Sequence, residues 1–396
     1  MVDSLKAQYS DREQTYIKHL FLRGYLKAAA FKTMQGRSAT FNFVDGFAGP
    51  WNLADVDGYS DSSFDQSIRI LQEVKSTLEE RGARNLTIRF FFCEKNTKRF
   101  QRLEAYAKQQ RDLEIRVFHG SFEDHLGVIA DACTTGFTFT FIDPTGFNLR
   151  SIEIAQFLAR TRGEFLLNFM AEHINRHAGW AGVEEAYGRL LADPGWREAF
   201  EALPTDLPNE TKVLILLKRR LKELRAAKYL PDFEILKPRE QRLKMRLVLG
   251  TNNRHGVEVF RDVQAKAELA QHEIRSEIKS GIQVPLFPDG YMAQFAQSLS
   301  GVGCQANCVQ ARKRVLELLQ FSRRAYFEGL IAPVLEEVAI RTTHLKNVLC
   351  EMRLAGELEF DLEGKARKPD DKTMIRLPDA KPTETADSNA SLTTEP

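Results

Sequence analysis

The residues best placed to do chemistry fall in four short clusters, each at the end of an apolar run. The first, Val44-Asp45-Gly46-Phe47-Ala48-Gly49-Pro50, follows the run Phe41–Val44. Small residues at the end of a strand let a ligand approach the backbone where Cβ atoms would obstruct it. Asp45 adds an acceptor for a cationic or hydroxyl-bearing group. Asp45, Gly46, Phe47, Ala48 and Gly49 are therefore candidate cofactor contacts, with an ordinary tight strand-to-helix turn as the plainer reading. The second cluster is Phe92-Cys93-Glu94-Lys95-Asn96. Glu94 stands where an acid at the end of a second strand accepts hydrogen bonds from ribose hydroxyls. Its separation from Asp45 exceeds the ~20 residues of dinucleotide folds, and the third glycine of that fingerprint is missing. Both departures favour a nucleoside-type cofactor over NAD.

The third cluster, His119-Gly120-Ser121-Phe122, would meet an adenine ring, with Ser121 hydrogen-bonding or Phe122 stacking. A helix cap by Ser121 with Phe122 in the core fits the same residues equally well. The fourth is Asp143-Pro144-Thr145-Gly146-Phe147. Methyltransferases that act on amino groups carry here an acid or amide, two prolines and an aromatic. The acceptor turns the amine lone pair toward the methyl group, proline stiffens the loop, and the aromatic stacks on a flipped base. Asp143, Pro144 and Phe147 are the candidate catalytic residues. Thr145-Gly146 replaces the second proline and sets Phe147 one place late, so a turn built on Pro144 and Gly146 remains the alternative.

No cysteine follows a proline, which removes the nucleophile that cytosine-5 methyltransferases need. Cys93 and Cys133 read as buried, inert thiols. Cys304 and Cys308 lack a third cysteine, since Ala311 stands in its place, and no metal site is expected.

Positioning these clusters calls for an alternation of elements. An amphipathic helix over residues 14–31 leads the chain, with Ile17, Leu20, Phe21, Tyr25 and Leu26 at helical spacing. Apolar runs at Phe41–Val44, Ile88–Phe92, Ile115–Phe118, Phe137–Ile142 and Phe165–Phe169 suit strands buried on both faces. Helical stretches at 67–81, 97–110, 122–132 and 152–160 separate them. The expectation is an α/β class protein with a Rossmann-like, doubly wound sheet. From about residue 183 to 279 helical, charged sequence dominates, with one possible strand near 247–250. Pro285 and Pro288 mark a boundary. Residues 305–377 then read as a separate module, with helices at 312–320, 325–337 and 343–355 and short strands at 356–361 and 374–377. That pattern suits a winged variant of the helix-turn-helix. The tail, 378–396, has almost nothing apolar and reads as disordered.

In this order the clusters resemble the three-Cys-motif partner protein family. The likeness covers roughly residues 14–290 and rests on the Tyr16–Tyr25 helix, Val44-Asp45-Gly46-Phe47-Ala48-Gly49 and Phe92-Cys93-Glu94-Lys95. To these add Phe141-Ile142-Asp143-Pro144-Thr145-Gly146 and Phe165-Leu166-Leu167-Asn168-Phe169-Met170. The resemblance implies a methyltransferase-like fold, S-adenosylmethionine as cofactor, and a partner encoded nearby that holds the three-cysteine motif. The C-terminal module looks like the winged-helix domain of some members. In it Thr343, His344, Lys346 and Asn347 would open a recognition helix, and Lys365, Arg367 and Lys368 would form a basic wing. Protein docking is the other use of such a module.

Bulk properties narrow the field. A formal net charge of +2 excludes a molecule that wraps nucleic acid by overall charge, although Lys218–Lys228 and Lys237–Arg246 are locally basic. No apolar run reaches the length of a membrane span. Five scattered cysteines suit a reducing cytoplasm rather than a disulfide framework. The expected function is S-adenosylmethionine-dependent methylation of nucleic acid at an exocyclic amine. A DNA-binding partner protein without methyl transfer is the alternative, and DNA, RNA and protein substrates all stay open.

Overall fold

The computed structural model describes residues 9–35, 39–49, 53–55, 58–177, 183–280 and 299–379. Helix α1 (Glu13–Thr33) leads into β1 (Ala39–Asp45), α2 (Ser63–Glu80), β2 (Leu86–Glu94), α3 (Thr97–Gln109) and β3 (Glu114–His119). Then come α4 (Phe122–Ala132), β4 (Phe137–Ile142), α5 (Ser151–Arg160) and β5 (Gly163–Phe169). A helical stretch follows, with α6 (Ala171–His177), α7 (Val183–Leu191), α8 (Trp196–Glu201) and α9 (Asn209–Glu223). Strands β6 (Asp232–Leu236) and β7 (Leu243–Gly250) precede the long α10 (Arg254–Ser280).

These strands form one seven-stranded sheet in the order β3-β2-β1-β4-β5-β7-β6. The first five run parallel, as consecutive strand–helix units require, and β7 lies antiparallel to both β5 and β6. The sheet is therefore doubly wound and Rossmann-like, but its antiparallel β7 distinguishes it from the 3-2-1-4-5-6 order of dinucleotide folds.

Strand alternation distributes the phenylalanines between two cores. Phe41, Phe43, Phe90, Phe92, Phe139 and Phe141 pack toward α1, α2 and α10. Val44, Phe91, Cys93 and Ile142 point the other way, toward α4, α5 and α9. Helix starts are set locally. The side chain of Ser62 accepts the Asp65 N–H ahead of α2, and Asn96 accepts that of Arg99 ahead of α3.

The stretch read as helical elaboration from 183 to 279 is corrected in one respect. It contributes two strands that complete the sheet, not one. Edge strand β6 escaped notice because Asp232 and Glu234 interrupt its apolar pattern. Three cations of the basic run before and within β7 are paired internally: Lys237 and Lys244 meet the buried Glu172, and Arg246 bridges Asp232 and Glu234. Lys218 adds a second cation to Asp232. Flanked by two cations, Asp232 is held far below the usual carboxylate range although burial opposes this.

The C-terminal unit comprises α11 (Gln305–Ser322), β8 (Arg324–Tyr326), α12 (Phe327–Glu337), α13 (Thr342–Leu354) and β9 (Met374–Arg376). Strands β8 and β9 pair antiparallel, and Glu359 makes an isolated bridge to Arg376 where a longer strand was expected. The unit has its own core, which Val257 of α10 joins. The buried Arg261 of α10 clamps it by donating to Leu335 O (2.7 Å) and Glu336 O (2.9 Å). The expected boundary around Pro285 and Pro288, and residues 380–396 of the expected tail, lie outside the described residues.

Candidate active site

Three of the four clusters meet at the carboxyl ends of β1, β2 and β4, and the fourth follows β3 beside β2. Their loops are sewn across the strand ends: Gly46 N–H donates to Phe141 O (3.0 Å), Ala48 N–H to Cys93 O (3.0 Å) and Gly120 N–H to Glu94 O (3.1 Å).

Asp45 is fully buried and accepts from Phe47 N–H (2.9 Å) and Ser63 Oγ–H (2.8 Å). Burial pushes its carboxyl up to about 7, against the pull of those two donors; nearby Asp143 adds to the rise and Lys18 opposes it. Asp45 thus braces the turn from inside. Glu94 is 7% exposed and accepts from Asn96 N–H (2.6 Å) and from two nitrogens of Arg99 (3.2 Å each). Gly49 lies against it so closely that a Cβ there would fall 1.5 Å from Glu94 Oε2. Only glycine brings the first turn onto the acid of the second strand.

Phe122 takes the second of its two sequence readings, a ring in the core, not the candidate cofactor contact. It is fully buried under Gly46, where an added Cβ would lie 2.7 Å from the ring, and it packs edge-on to Phe157. The ring fills core beneath the turn and is not presented to a ligand. Ser121 precedes α4 without capping its backbone and donates instead to Asp124 (2.5 Å).

At the end of β4, Asp143 is gripped from two sides. Lys18 Nζ, on α1, contacts Asp143 Oδ2, and Asn168 Nδ2, on β5, donates to Oδ1 at 2.6 Å. Lys18 is only 8% exposed. Asn168 Oδ1 is buried and has no hydrogen-bond partner among the described residues. Pro144 is buried. Phe147 is half-buried, its ring 5.3 Å from Tyr187, which in turn packs on Trp196. It belongs to an aromatic row with the helical insertion, so stacking on a base would require it to leave Tyr187.

Lys18, Asn168 and Ser63 were missed from the sequence. Asn168 did leave a signal, a lone amide inside the apolar run Phe165–Phe169. Lys18 left little, because a lysine beside the apolar stripe of a helix usually snorkels to solvent. Cys93 is buried, and that burial pushes its thiol far up, which makes it inert.

In the C-terminal unit Lys365, Arg367 and Lys368 are exposed, and Lys368 Nζ donates to Asn347 Oδ1 (2.5 Å), so the loop before β9 and helix α13 share a face. Thr343 is exposed and Lys346 sits over the Phe327 ring. His344 differs from expectation: it is half-buried against Gly303 and its Nδ1 accepts the Arg341 N–H (3.3 Å). Burial and then Arg341 lower its pKa, so it serves as a neutral cap.

No family model and no curated protein matches the sequence. Among solved structures, the chain is similar to one described as a fibrillarin/Nop5p complex, at 11% identity and a TM-score of 0.29, over 55% of this chain and 73% of that one. It is also similar to loganic acid methyltransferase with SAH, at 9% identity and a TM-score of 0.29, over 94% of this chain and 96% of that one. A cyclopropane synthase from Mycobacterium tuberculosis gives 7% identity and a TM-score of 0.27, over 70% and 76%. Such low TM-scores and identities carry no weight for the site, and the fold rests on strand order and register. No described helix is long and apolar enough to cross a membrane.

Proposed function

We propose that the chain is an S-adenosylmethionine-dependent methyltransferase acting on an exocyclic amine of a nucleic-acid base. The observation that carries this reading is Asp143, fixed at the end of β4 by Lys18 and Asn168 beside the Gly46–Gly49 turn. The residues present fit a nucleoside cofactor. The missing Cβ of Gly49 lets the Glu94 carboxylate lie directly against the first turn, and Asn168 Oδ1 is an unused acceptor among the described residues. The antiparallel β7 also argues against a dinucleotide. When bound, the cofactor supplies the electrophilic methyl group.

The chain's own residues orient the reactants. Glu94 accepts ribose hydroxyls once Arg99 swings outward. Asp143 keeps free lone-pair directions beyond those used by Lys18 and Asn168, since a carboxylate offers about four. One of them accepts a hydrogen bond from the target amine N–H and turns the nitrogen lone pair toward the methyl group. Lys18 and Asn168 hold the carboxylate in that orientation. The C-terminal unit, as a winged helix, supplies phosphate contacts through Lys365, Arg367 and Lys368, and the three-Cys-motif protein is the proposed partner.

A specific observation supports a second reading, a nucleic-acid-binding partner protein that transfers no methyl group. Both key carboxylates already have internal cations, Arg99 on Glu94 and Lys18 on Asp143. Calorimetry with S-adenosylhomocysteine, together with nucleoside mass spectrometry of cells with and without the gene and its partner, separates the two. Asp143→Ala is expected to leave cofactor binding within a few-fold and cut turnover ~100-fold or more, as for loss of a positioned acid–base group. Full turnover in that variant rejects the assignment of Asp143. Wild-type protein that binds cofactor and never transfers a methyl group establishes the second reading.

A further inference from the structure

A cavity of about 1140 Å³ lies at the amino ends of the strands, bounded by Ala39–Thr40 at the start of β1, Gly136–Phe137 where β4 begins and Gly163–Glu164 at the start of β5. Strand β1 spans seven residues, so roughly 20 Å separates this cavity from Asp45. Its other wall is the start of α10 and residues 341–343, the start of α13 in the C-terminal unit. It is thus an interdomain cleft, where ligand sites often form, and its size slightly exceeds the ~300–1,000 Å³ usual for such sites.

The lining holds three acids, Glu164, Glu258 and Asp262, and three cations, Lys32, Arg162 and Arg341; the acids have internal donors or neighbouring cations, and two of the cations do not have acidic partners among the described residues. Glu164 accepts from Tyr25 Oη–H (2.7 Å) and Thr251 Oγ1–H (2.6 Å). Glu258 is held by Thr342 Oγ1–H (2.8 Å) and His255 Nδ1 (2.7 Å). Asp262 has Arg341 and Lys266 as neighbouring cations. Lys32, at the end of α1, and Arg162, before β5, line the same cavity and have no acidic partner among the described residues. The starts of α10 and α13 add the positive ends of two helix dipoles, with the His255 and Gly256 N–H groups already taken by Asn253 and the His344 N–H by Arg341 O. Beside these groups lie the flat or apolar surfaces of Tyr25, Phe137 and Val259.

We infer that this cleft binds the phosphate and base of a nucleotide unit, with Lys32 and Arg162 as the phosphate contacts. The unit is either a free nucleotide or one residue of a nucleic-acid strand threaded between the two parts of the protein. In both cases the site is separate from the one at Glu94 and Asp143 and does not depend on methyl transfer.

The test uses the full chain and two probes, deoxyadenosine monophosphate by calorimetry and a labelled single-stranded DNA oligonucleotide by fluorescence anisotropy. Lys32→Glu/Arg162→Glu changes two exposed side chains, and its folding is checked by thermal melting. The double variant is expected to lose ~10-fold or more in affinity for at least one probe, as removal of phosphate contacts requires. Loss for the mononucleotide identifies a free nucleotide, and loss for the oligonucleotide alone identifies a strand. S-adenosylhomocysteine binding, read on the same samples, stays unchanged, so a failure of the methyl-donor site is scored separately. Unchanged affinity for both probes overturns the inference. So does an oligonucleotide affinity lost only in Lys365→Glu/Arg367→Glu/Lys368→Glu, or no binding of either probe to the wild type.

Discussion

Replacing Asp45 by asparagine is expected to make the protein more stable at alkaline pH and to leave it little changed in acid. The carboxyl is fully buried, and its pKa rises from 3.8 to about 7. A raised carboxyl means that the folded state keeps a proton which the unfolded chain has released. Its contribution is therefore whole below pH 3.8, declines as pH rises, and is lost once the pH passes about 7. At about 1.4 kcal/mol per decade, the full span corresponds to ~4 kcal/mol, of which ~2.5 kcal/mol falls between pH 5 and pH 8. Asparagine preserves the geometry: its Oδ1 accepts from Phe47 N–H, and its Nδ2 donates to Ser63 Oγ after the hydroxyl rotates. Urea denaturation of both proteins at a series of pH values, without ligand, reads the difference directly. A stability difference that stays flat from pH 5 to pH 8 would refute the argument that burial dominates at Asp45.

Gly49→Ala forces the Glu94 carboxylate aside and should weaken S-adenosylhomocysteine binding by ~1.5–3 kcal/mol, the worth of hydrogen bonds to a charged acceptor; equal calorimetric affinity in variant and wild type would show that Glu94 does not hold the ribose. Lys18→Met strips the cation from Asp143, whose side chain is 19% exposed, and should cost ~2–3 kcal/mol, somewhat below the range for fully buried pairs. Adding Asp143→Asn to that variant should recover much of the loss in urea denaturation, and no recovery would mean that packing of the lysine stem, not charge, was lost.

The parallel half of the sheet was legible because its strands are buried on both faces and so read as unbroken apolar runs. Phe137–Ile142 and helix Phe122–Ala132 begin and end where the pattern places them. The glycine turn and Glu94 were legible for a related reason: backbone demands at a strand end select residue types that stand out locally. Edge strand β6 was not, since only one face of it is covered and charged residues alternate along it. Phe122 was ambiguous for the opposite reason, because a ring that stacks on a ligand and a ring that fills a core are the same residue in the same place.

The sequence by itself determined the alternation of strands and helices from α1 to β5, the turn after β1 and the acids at the ends of β2 and β4. These depend on neighbours within a few residues, where periodicity and conformational preference act directly. The tertiary structure alone decided what those acids touch. Lys18 reaches Asp143 across 125 residues of chain, and Thr342 reaches Glu258 across 84. It also decided that the start of α13 closes a cleft at the far end of the sheet. Such contacts arise where separate elements pack against one another, and a pairing set by packing leaves no spacing in the chain to read.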